Sequence, residues 1–311
     1  GYNEAMETYG SDKPDLRFDM PLIEFSEYIE KSDFNVFKST LEEGGRVKAI
    51  ICPNASNYSR KIIDELTDYI KEYHHAKGLA WMKNNNGKLE GGISKFFPEV
   101  VQSQIIEGLN LTNQDIIFMI GDSKKVTLDA LGALRLKLAK KENLIKSRWE
   151  PLWVLDFPLF DWNQEKERWD SLHHPFTSPN PKDIKLLDTS PGEVRSWGYD
   201  MIMNGYELGG GSIRIHDKNM QGKIFELLGL TKDEANEKFG FLMNAFKYGA
   251  PPHGGMAFGF DRIVMLLVGS SQIRDVIAFP KTTSAMSLMD ESPSKVDTNQ
   301  LNELGIKLKG K

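Results

Sequence analysis

Cysteine is almost missing: Cys52 is the only one in 311 residues. That excludes an internal disulfide and any cysteine-rich zinc site, and it fits a reducing compartment. No apolar run approaches the ~20 residues that a membrane helix needs. No basic or amphipathic leader precedes the first fold-like segment, so no signal or transit peptide is expected. Positive charge is not in excess: 39 Lys+Arg against 44 Asp+Glu leave a net charge of −5. This argues against a general nucleic-acid coat protein but leaves room for a local basic patch. HExxH, GxSxG and EF-hand patterns are absent, so metalloprotease, hydrolase and calcium readings lack support. No internal repeat or low-complexity tract occurs. Aromatics, by contrast, are plentiful at 17 Phe, 6 Trp and 9 Tyr, which rules out general disorder. At the usual ~150 residues per domain the length suggests about two domains. The chain opens at Gly1 rather than Met, which suggests a piece excised from a longer protein.

The first 33 residues read as the tail of a strand, a loop and a short helix. From 34 to 126 the pattern is that of a small α+β unit, plausibly an insertion. Val47–Ile51 is a β-branched run suited to a strand. Apolar residues at 62, 63, 66, 69, 70 and 73 predict a helix from Ser59, its N-cap, to a stop at Gly78. Strands are expected at 79–82 and 115–120, with a hairpin turn at Asn84–Gly87. A helix is expected over 128–144 and a strand over 152–157. Residues 163–198 read as loop, with strands returning at 199–203 and 206–215. Thr231 and Glu234 form a capping-box signature before a helix. Further helices are expected at 241–248 and 261–268.

The most informative stretch is Tyr199 to Arg214. Asn204-Gly205 between two apolar runs predicts a two-residue hairpin turn. It would pair 203 with 206 and 202 with 207, placing Asp200 and Glu207 on one face as diagonal neighbours, about 7–8 Å apart at Cα. Two like charges there call for a cation between them. Magnesium carrying substrate phosphates would suit, since it is usually held by one or two carboxylates plus phosphate oxygens. The plainer reading is a pair of solvated acids on an outer face. Gly209-Gly210-Gly211 follows, as expected where a ligand approaches the backbone or a bulge resets the register. One bulge among the glycines would bring Arg214 to the face of Glu207. A guanidinium there could grip a carboxylate substrate in a bidentate way, or simply pair with Asp200 or Glu207.

Gly254 to Leu267 reads as a small-residue strand entering a helix whose first turn carries Arg262. That suits a polyphosphate or nucleotide, although it is neither a Walker A loop nor a Rossmann fingerprint. A glycine-rich packing contact with a surface arginine is the commoner case. His173-His174 lies in a Pro-rich loop without the partners that would complete a metal site. His173 is better read as a hydrogen-bonding gate over a substrate. His74-His75 reads as a helix end.

These features occur together, in this order, with Tyr9-Gly-Ser-Asp-Lys-Pro-Asp-Leu-Arg17, Asp129-Ala-Leu-Gly-Ala-Leu-Arg-Leu136 and Ile273-Arg-Asp-Val-Ile-Ala-Phe-Pro-Lys281. Jointly the chain resembles the bacterial type of aspartyl-tRNA synthetases, which are class II aminoacyl-tRNA synthetases. The resemblance implies an α+β fold: a class II antiparallel sheet flanked by helices, incomplete in this chain, with an inserted GAD domain. It implies a catalytic segment at 1–33, the GAD-like insertion at 34–126, and the C-terminal part of the catalytic domain, with motif 3 at Gly259–Arg262, over 127–311. It implies that His173 and Arg214 bind aspartate and that Glu207 binds ATP through Mg2+ shared with Asp200. Gly259, Phe260, Asp261 and Arg262 would line the ATP site, Arg214 and Arg262 being the catalytic arginines.

The implied activity is ATP-dependent formation of aspartyl-adenylate and transfer of the aspartyl group to tRNA(Asp), with tRNA(Asn) as a second candidate. A cytoplasmic homodimer is implied for the intact protein, with no membrane. The anticodon-binding barrel and motifs 1 and 2 do not occur in these residues, so this chain by itself is expected to be nearly inactive. A rival reading is a non-catalytic, GAD-containing tRNA-binding or amidotransferase-associated protein, which would not need Arg214 or Arg262. Asparagine and lysine synthetases lack the insertion and need no arginine to read a carboxylate side chain.

Overall fold

Alternate residues of a strand face opposite ways, so a strand apolar at every position must be covered on both sides. Ile116–Ile120 is such a run, and it forms the middle of a five-stranded sheet. A computed structural model describes residues 1–309. In chain order the first unit, residues 1–258, contains α1 (Tyr2–Tyr9), β1 (Ile23–Glu24), α2 (Ser26–Glu30), α3 (Asn35–Glu42), β2 (Arg46–Cys52), α4 (Arg60–His74), β3 (Ala80–Asn85), β4 (Lys88–Glu90), α5 (Glu99–Gly108), β5 (Ile116–Asp122) and α6 (Lys124–Lys141). It continues with β6 (Pro151–Leu155), β7 (Phe160–Asn163), β8 (Arg168–Ser171), β9 (Gly198–Met203), β10 (Tyr206–Ile213), α7 (Lys218–Leu227), α8 (Lys232–Phe246) and β11 (Gly254–Phe258). The second unit starts at Gly259 and carries α9 (Phe260–Leu267) and α10 (Thr298–Glu303).

The first sheet has the order β1-β2-β5-β3-β4, and each pair is antiparallel. One face of β2 and β5 (Ile50, Cys52, Ile116, Phe118, Ile120) packs on α4 and α6 through Ile63, Leu66, Ile70, Leu128, Leu131, Leu134 and Leu138. The other face (Val47, Ala49, Ile117, Met119) packs on Phe25, Ile29, Phe37, Val101 and Ile105. Helix α1 is tied to this sheet by Glu7, which binds Arg46 at 2.6 Å, Lys48 at 2.9 Å and Lys124 at 3.1 Å. Partial burial works against the charge, but the hydrogen bonds from Lys48, Arg46 and Lys124 hold Glu7 down at about 2.

The second sheet has the order β11-β10-β9-β6, also antiparallel. Its inner face carries Val154, Asp200, Ile202 and Ser212, all buried. Only a small cluster of Val154, Phe157 and Ile202 packs there, with Tyr2 and Leu152 beside it. Trp153 and Leu155 point the other way and are exposed. The stretch read as loop between 163 and 198 includes one arm of a hairpin, β7–β8, closed by an edge-to-face Trp162–Trp169 pair at 5.0 Å.

Several element expectations change. The first residues form a helix, α1, rather than a strand tail. Ser59 does cap α4 by accepting from the Ile62 amide, but the helix stops at His75, which adopts left-handed φ of 57°, before Gly78 is reached. Thr231 and Glu234 form the expected capping box, yet the helix runs unbroken to Phe246; the 241–248 segment is its continuation. Helices α3, α5 and α7 carried apolar positions too sparse or too mixed to stand out.

Candidate functional site

The β9–β10 turn is built as its sequence demands. Asn204 and Gly205 both take left-handed φ, 54° and 86°, the pair of angles a type I′ turn needs. Asn204 is buried and fixed from both ends of its amide: its Oδ1 accepts from the Glu150 amide at 3.0 Å and its Nδ2 donates to the Arg148 carbonyl at 3.1 Å. Tyr206 pairs with Met203 and Glu207 with Ile202, the expected register. The ladder then slips between Glu207 and Gly209, so that Gly210 faces Asp200 and Ser212 faces Gly198. The bulge thus sits at Leu208, one step before the glycines, and puts positions 210, 212 and 214 on the side of Glu207.

Bare backbone is required here. A Cβ on Gly210 would stand 2.4 Å from Asp200 Oδ1 and 3.3 Å from Glu207 Oε1. Both carboxylates therefore close over the same empty spot on the strand. A Cβ on Gly211 would stand 1.9 Å from the Gly255 carbonyl, so β11 can approach only because no side chain intervenes. Burial pushes the Asp200 carboxyl up to about 6, with the Glu207 and Asp12 charges adding to it and Lys13 opposing it. Two acids, one of them reluctant to ionise, form a donor set suited to a hard divalent cation that shares its shell with substrate oxygens. Among the described residues no group of three or more His, Cys, Asp or Glu side chains is arranged to hold a metal ion.

The histidine loop lies along this face. His173 packs edge-on against Phe157 at 4.5 Å. Desolvation lowers its pKa, while Glu207 and Asp12 pull it the other way. Loop and strand are zipped together: Ser178 donates to the Ile213 carbonyl, Ile215 donates to the Phe176 carbonyl, and Thr177 and Ser212 share a buried hydroxyl contact at 3.2 Å. Arg214 follows directly, its amide bound to the His253 carbonyl at 2.9 Å. Its charge, second to desolvation, lowers the pKa of the neighbouring His174. Its Nη1 is buried and makes no hydrogen bond among the described residues. A buried donor without an acceptor costs ~1–3 kcal/mol, more when charged; an anionic oxygen at that position would offset it.

Asp200, Glu207, His173 and Arg214 thus share one side of β10 and the loop laid on it. Gly259, Phe260, Asp261 and Arg262 belong to the second unit, where they form the start of α9. Gly259 is its N-cap residue and its carbonyl accepts from the Ile263 amide at 3.1 Å. Asp261 suits the positive end of that helix; Arg262 does not. Two residues escaped the sequence reading. Asp12 and Lys13 act electrostatically on Asp200, and their signal lay in plain view in the Tyr9–Arg17 motif, to which no chemistry had been assigned.

Residues 1–283 match the model of the class II tRNA synthetases (D, K and N). The chain belongs to that family. This class II chain is 51% identical over 312 residues to an aspartate–tRNA ligase of Bacillus licheniformis, covering 100% of this chain and 52% of that protein. It is 52% identical over 309 residues to an aspartate–tRNA ligase of Macrococcus caseolyticus, covering 99% and 52%. It is 50% identical over 310 residues to an aspartate–tRNA(Asp/Asn) ligase of Anoxybacillus flavithermus, covering 99% and 52%. The class II chain therefore spans about half the length of these curated relatives. Among the described residues no helix is long and apolar enough to cross a membrane.

Proposed function

We propose that the protein to which this chain belongs is an aspartate–tRNA ligase. The observation that carries this reading is the buried Arg214 Nη1, which makes no hydrogen bond among the described residues, on the same side of β10 as Asp200 and Glu207. Arg214 reads the side-chain carboxylate of aspartate and His173 closes over the bound amino acid. Asparagine offers no charge to the guanidinium, and a buried charge without its partner costs on the order of 3–5 kcal/mol.

Glu207 is assigned to ATP from its place on β10, and Gly259, Phe260, Asp261 and Arg262 are assigned to ATP from their match to motif 3. Asp200 and Glu207 would hold Mg2+, which supplies charge neutralisation for the phosphates. An α-carboxylate oxygen of aspartate forms a bond to the α-phosphorus as the bond to pyrophosphate breaks, and pyrophosphate leaves with the electron pair. A hydroxyl of the terminal tRNA ribose then takes the aspartyl group, and AMP leaves. No protein nucleophile is needed; the chain contributes orientation and preorganised charge. Arg214 and Arg262 are the residues assigned to that stabilisation.

The same reading makes residues 34–126, which hold α3 to α5 and β2 to β5, a GAD-type insertion between two catalytic segments at 1–33 and 127–311. It makes the intact protein a cytoplasmic homodimer that acts on tRNA(Asp), with tRNA(Asn) as a second candidate given the name of one relative. The test is ATP–pyrophosphate exchange by the full-length gene product with aspartate, asparagine and lysine offered separately. Exchange with aspartate alone is expected. Exchange with asparagine or lysine, or with none of the three from folded protein, overturns the reading.

A further inference from the structure

Two further stretches, Tyr9–Arg17, of which only Asp12 and Lys13 have so far been tied to the site, and Asp129–Leu136, meet in the fold. Gly10 and Gly132 touch backbone to backbone: a Cβ on Gly132 would stand 2.3 Å from the Gly10 carbonyl, and one on Gly10 would stand 2.3 Å from the Leu128 carbonyl. One turn further along α6, Arg135 is 1% exposed. Its guanidinium is bound to backbone: Nε donates to the Met20 carbonyl at 2.9 Å, Nη1 to Asp15 at 3.0 Å and Nη2 to Phe18 at 3.1 Å. The rings of Phe18 and Tyr9 flank it at 4.0 and 5.0 Å. Keeping a charge this deep is expensive, and a leucine or methionine would fill the same space without that cost. The donors point to what is gained: three carbonyls of one loop are fixed from a single side chain.

That loop leads to the site. Asp15, 3% exposed at its side chain, accepts three hydrogen bonds from the Arg17 guanidinium, two from Nε and one from Nη2. The Leu16 carbonyl accepts from Arg148 Nη2 at 3.2 Å, and the Arg148 carbonyl accepts from Asn204 Nδ2 at 3.1 Å. The Lys146 amide donates to the Arg17 carbonyl at 3.2 Å. Asp15 Cβ lies 3.4 Å from where a Cβ on Gly205 would stand. Contacts therefore run without a gap from α6, through residues 10–20, to the Asn204–Gly205 turn, and so to the hairpin of Asp200 and Glu207.

We propose that Arg135 is a positioning residue for the candidate site: from inside α6 it holds the 10–20 loop against the Asn204–Gly205 turn, and so fixes the hairpin that presents Asp200 and Glu207. The kinetic consequence rests on the function proposed above; the mechanical part does not. Arg135→Lys keeps the charge but cannot span three carbonyls. Hydrogen exchange is measured on the full-length gene product, and ATP–pyrophosphate exchange beside it.

In Arg135→Lys, amides in peptides 10–20 and 198–208 are expected to exchange at least tenfold faster, while those of 116–122 stay as in the wild type. KM for ATP is expected to rise at least fivefold with KM for aspartate nearly unchanged, because Arg214 is held by the His253 carbonyl and by the 176–178 loop zipped to 212–215, and His173 packs on Phe157. Loosening of 10–20 without 198–208 overturns the proposal, as does uniform loosening that includes 116–122, or no change at all. Arg148→Met, which cuts the second link from a half-exposed side chain, is expected to loosen 198–208 while leaving 15–20 protected; protection of 198–208 in that variant also overturns it. A wild type that exchanges no pyrophosphate with aspartate refutes the function proposed above, and the hydrogen-exchange pattern still decides the role of Arg135.

Discussion

The two sheets of the first unit follow opposite rules. The five-stranded sheet is covered on both faces, and its central strand is buried at every position from Ile116 to Asp122. The four-stranded sheet has three adjacent glycines, a bulge, a small inner cluster, and Trp153 and Leu155 exposed on its outer side. Their acids differ in the same way. Glu7, on the helix tied to the first sheet, is met by three cations and held at about 2. Asp200, on the second, is pushed up to about 6 by burial and then by the charges of Glu207 and Asp12. One sheet satisfies its groups internally; the other leaves charge and backbone open to what binds.

This contrast can be broken in graded steps. The largest effects should come from one residue on each side. Phe118→Ala empties the centre of the first sheet and is expected to cost about 3–5 kcal/mol by denaturant titration, whereas Arg214→Gln is expected to leave the unfolding midpoint within experimental scatter while aspartate-dependent exchange falls roughly 10²–10³-fold. If Arg214→Gln destabilises as much as Phe118→Ala, the division of labour is wrong. Gly210→Ala forces a Cβ onto Asp200 Oδ1. A drop in ATP affinity of at least about tenfold, against a stability change of about 1–2 kcal/mol, is the expected result in calorimetry.

The pH response sharpens the comparison further. Asp200 binds its proton more tightly in the folded state than when unfolded, where its ordinary value of 3.8 applies. The native state therefore holds more protons between pH 4 and 6, so its contribution to stability is present below about pH 4 and lost as pH rises through 6, on the order of 2–3 kcal/mol. Glu7 does the reverse: its contribution is present above its ordinary 4.5 and lost as pH falls toward 2. Thermal melts of wild type and Asp200→Asn, without divalent cations, should differ increasingly as pH rises from 4 to 7, and the difference should shrink when Mg2+ is added. Parallel curves would mean that Asp200 carries no such penalty. At the small end, Thr231→Ala removes a cap remote from both sheets, and a loss of about 1 kcal/mol with unchanged exchange activity is expected.

Much of the site was legible because its determinants are local. The Asn204-Gly205 turn, the 203–206 and 202–207 pairing and the shared face of Asp200 and Glu207 follow from alternation and one turn type. The need for a bulge followed from the seven-position spacing of Glu207 and Arg214; its place, expected among the glycines, is Leu208 in the structure. The first sheet was legible in β2, β3 and β5, whose apolar runs are unambiguous. Helix α1 was not, since Glu4 and Glu7 interrupt its apolar face and its partners, Arg46, Lys48 and Lys124, are some 40 to 120 positions away. The motifs that carry Asp12, Lys13 and Arg135 were visible, but the parts these residues play were not, because their meaning lies in contacts that sequence spacing does not encode.

The bulge at Leu208 has a consequence for how mutations in this chain sort. Which groups share the face of Glu207 depends on the parity of the chain between it and Arg214, not on the identity of any residue in between. Losing one codon there would straighten β10, rotate Arg214 to the opposite side of the sheet, and leave every functional side chain present but unassembled. A substitution scan across 208–213 would miss this sensitivity; a scan of single-residue deletions and insertions would show it as an alternation, with a deletion and a compensating insertion restoring what either one removes.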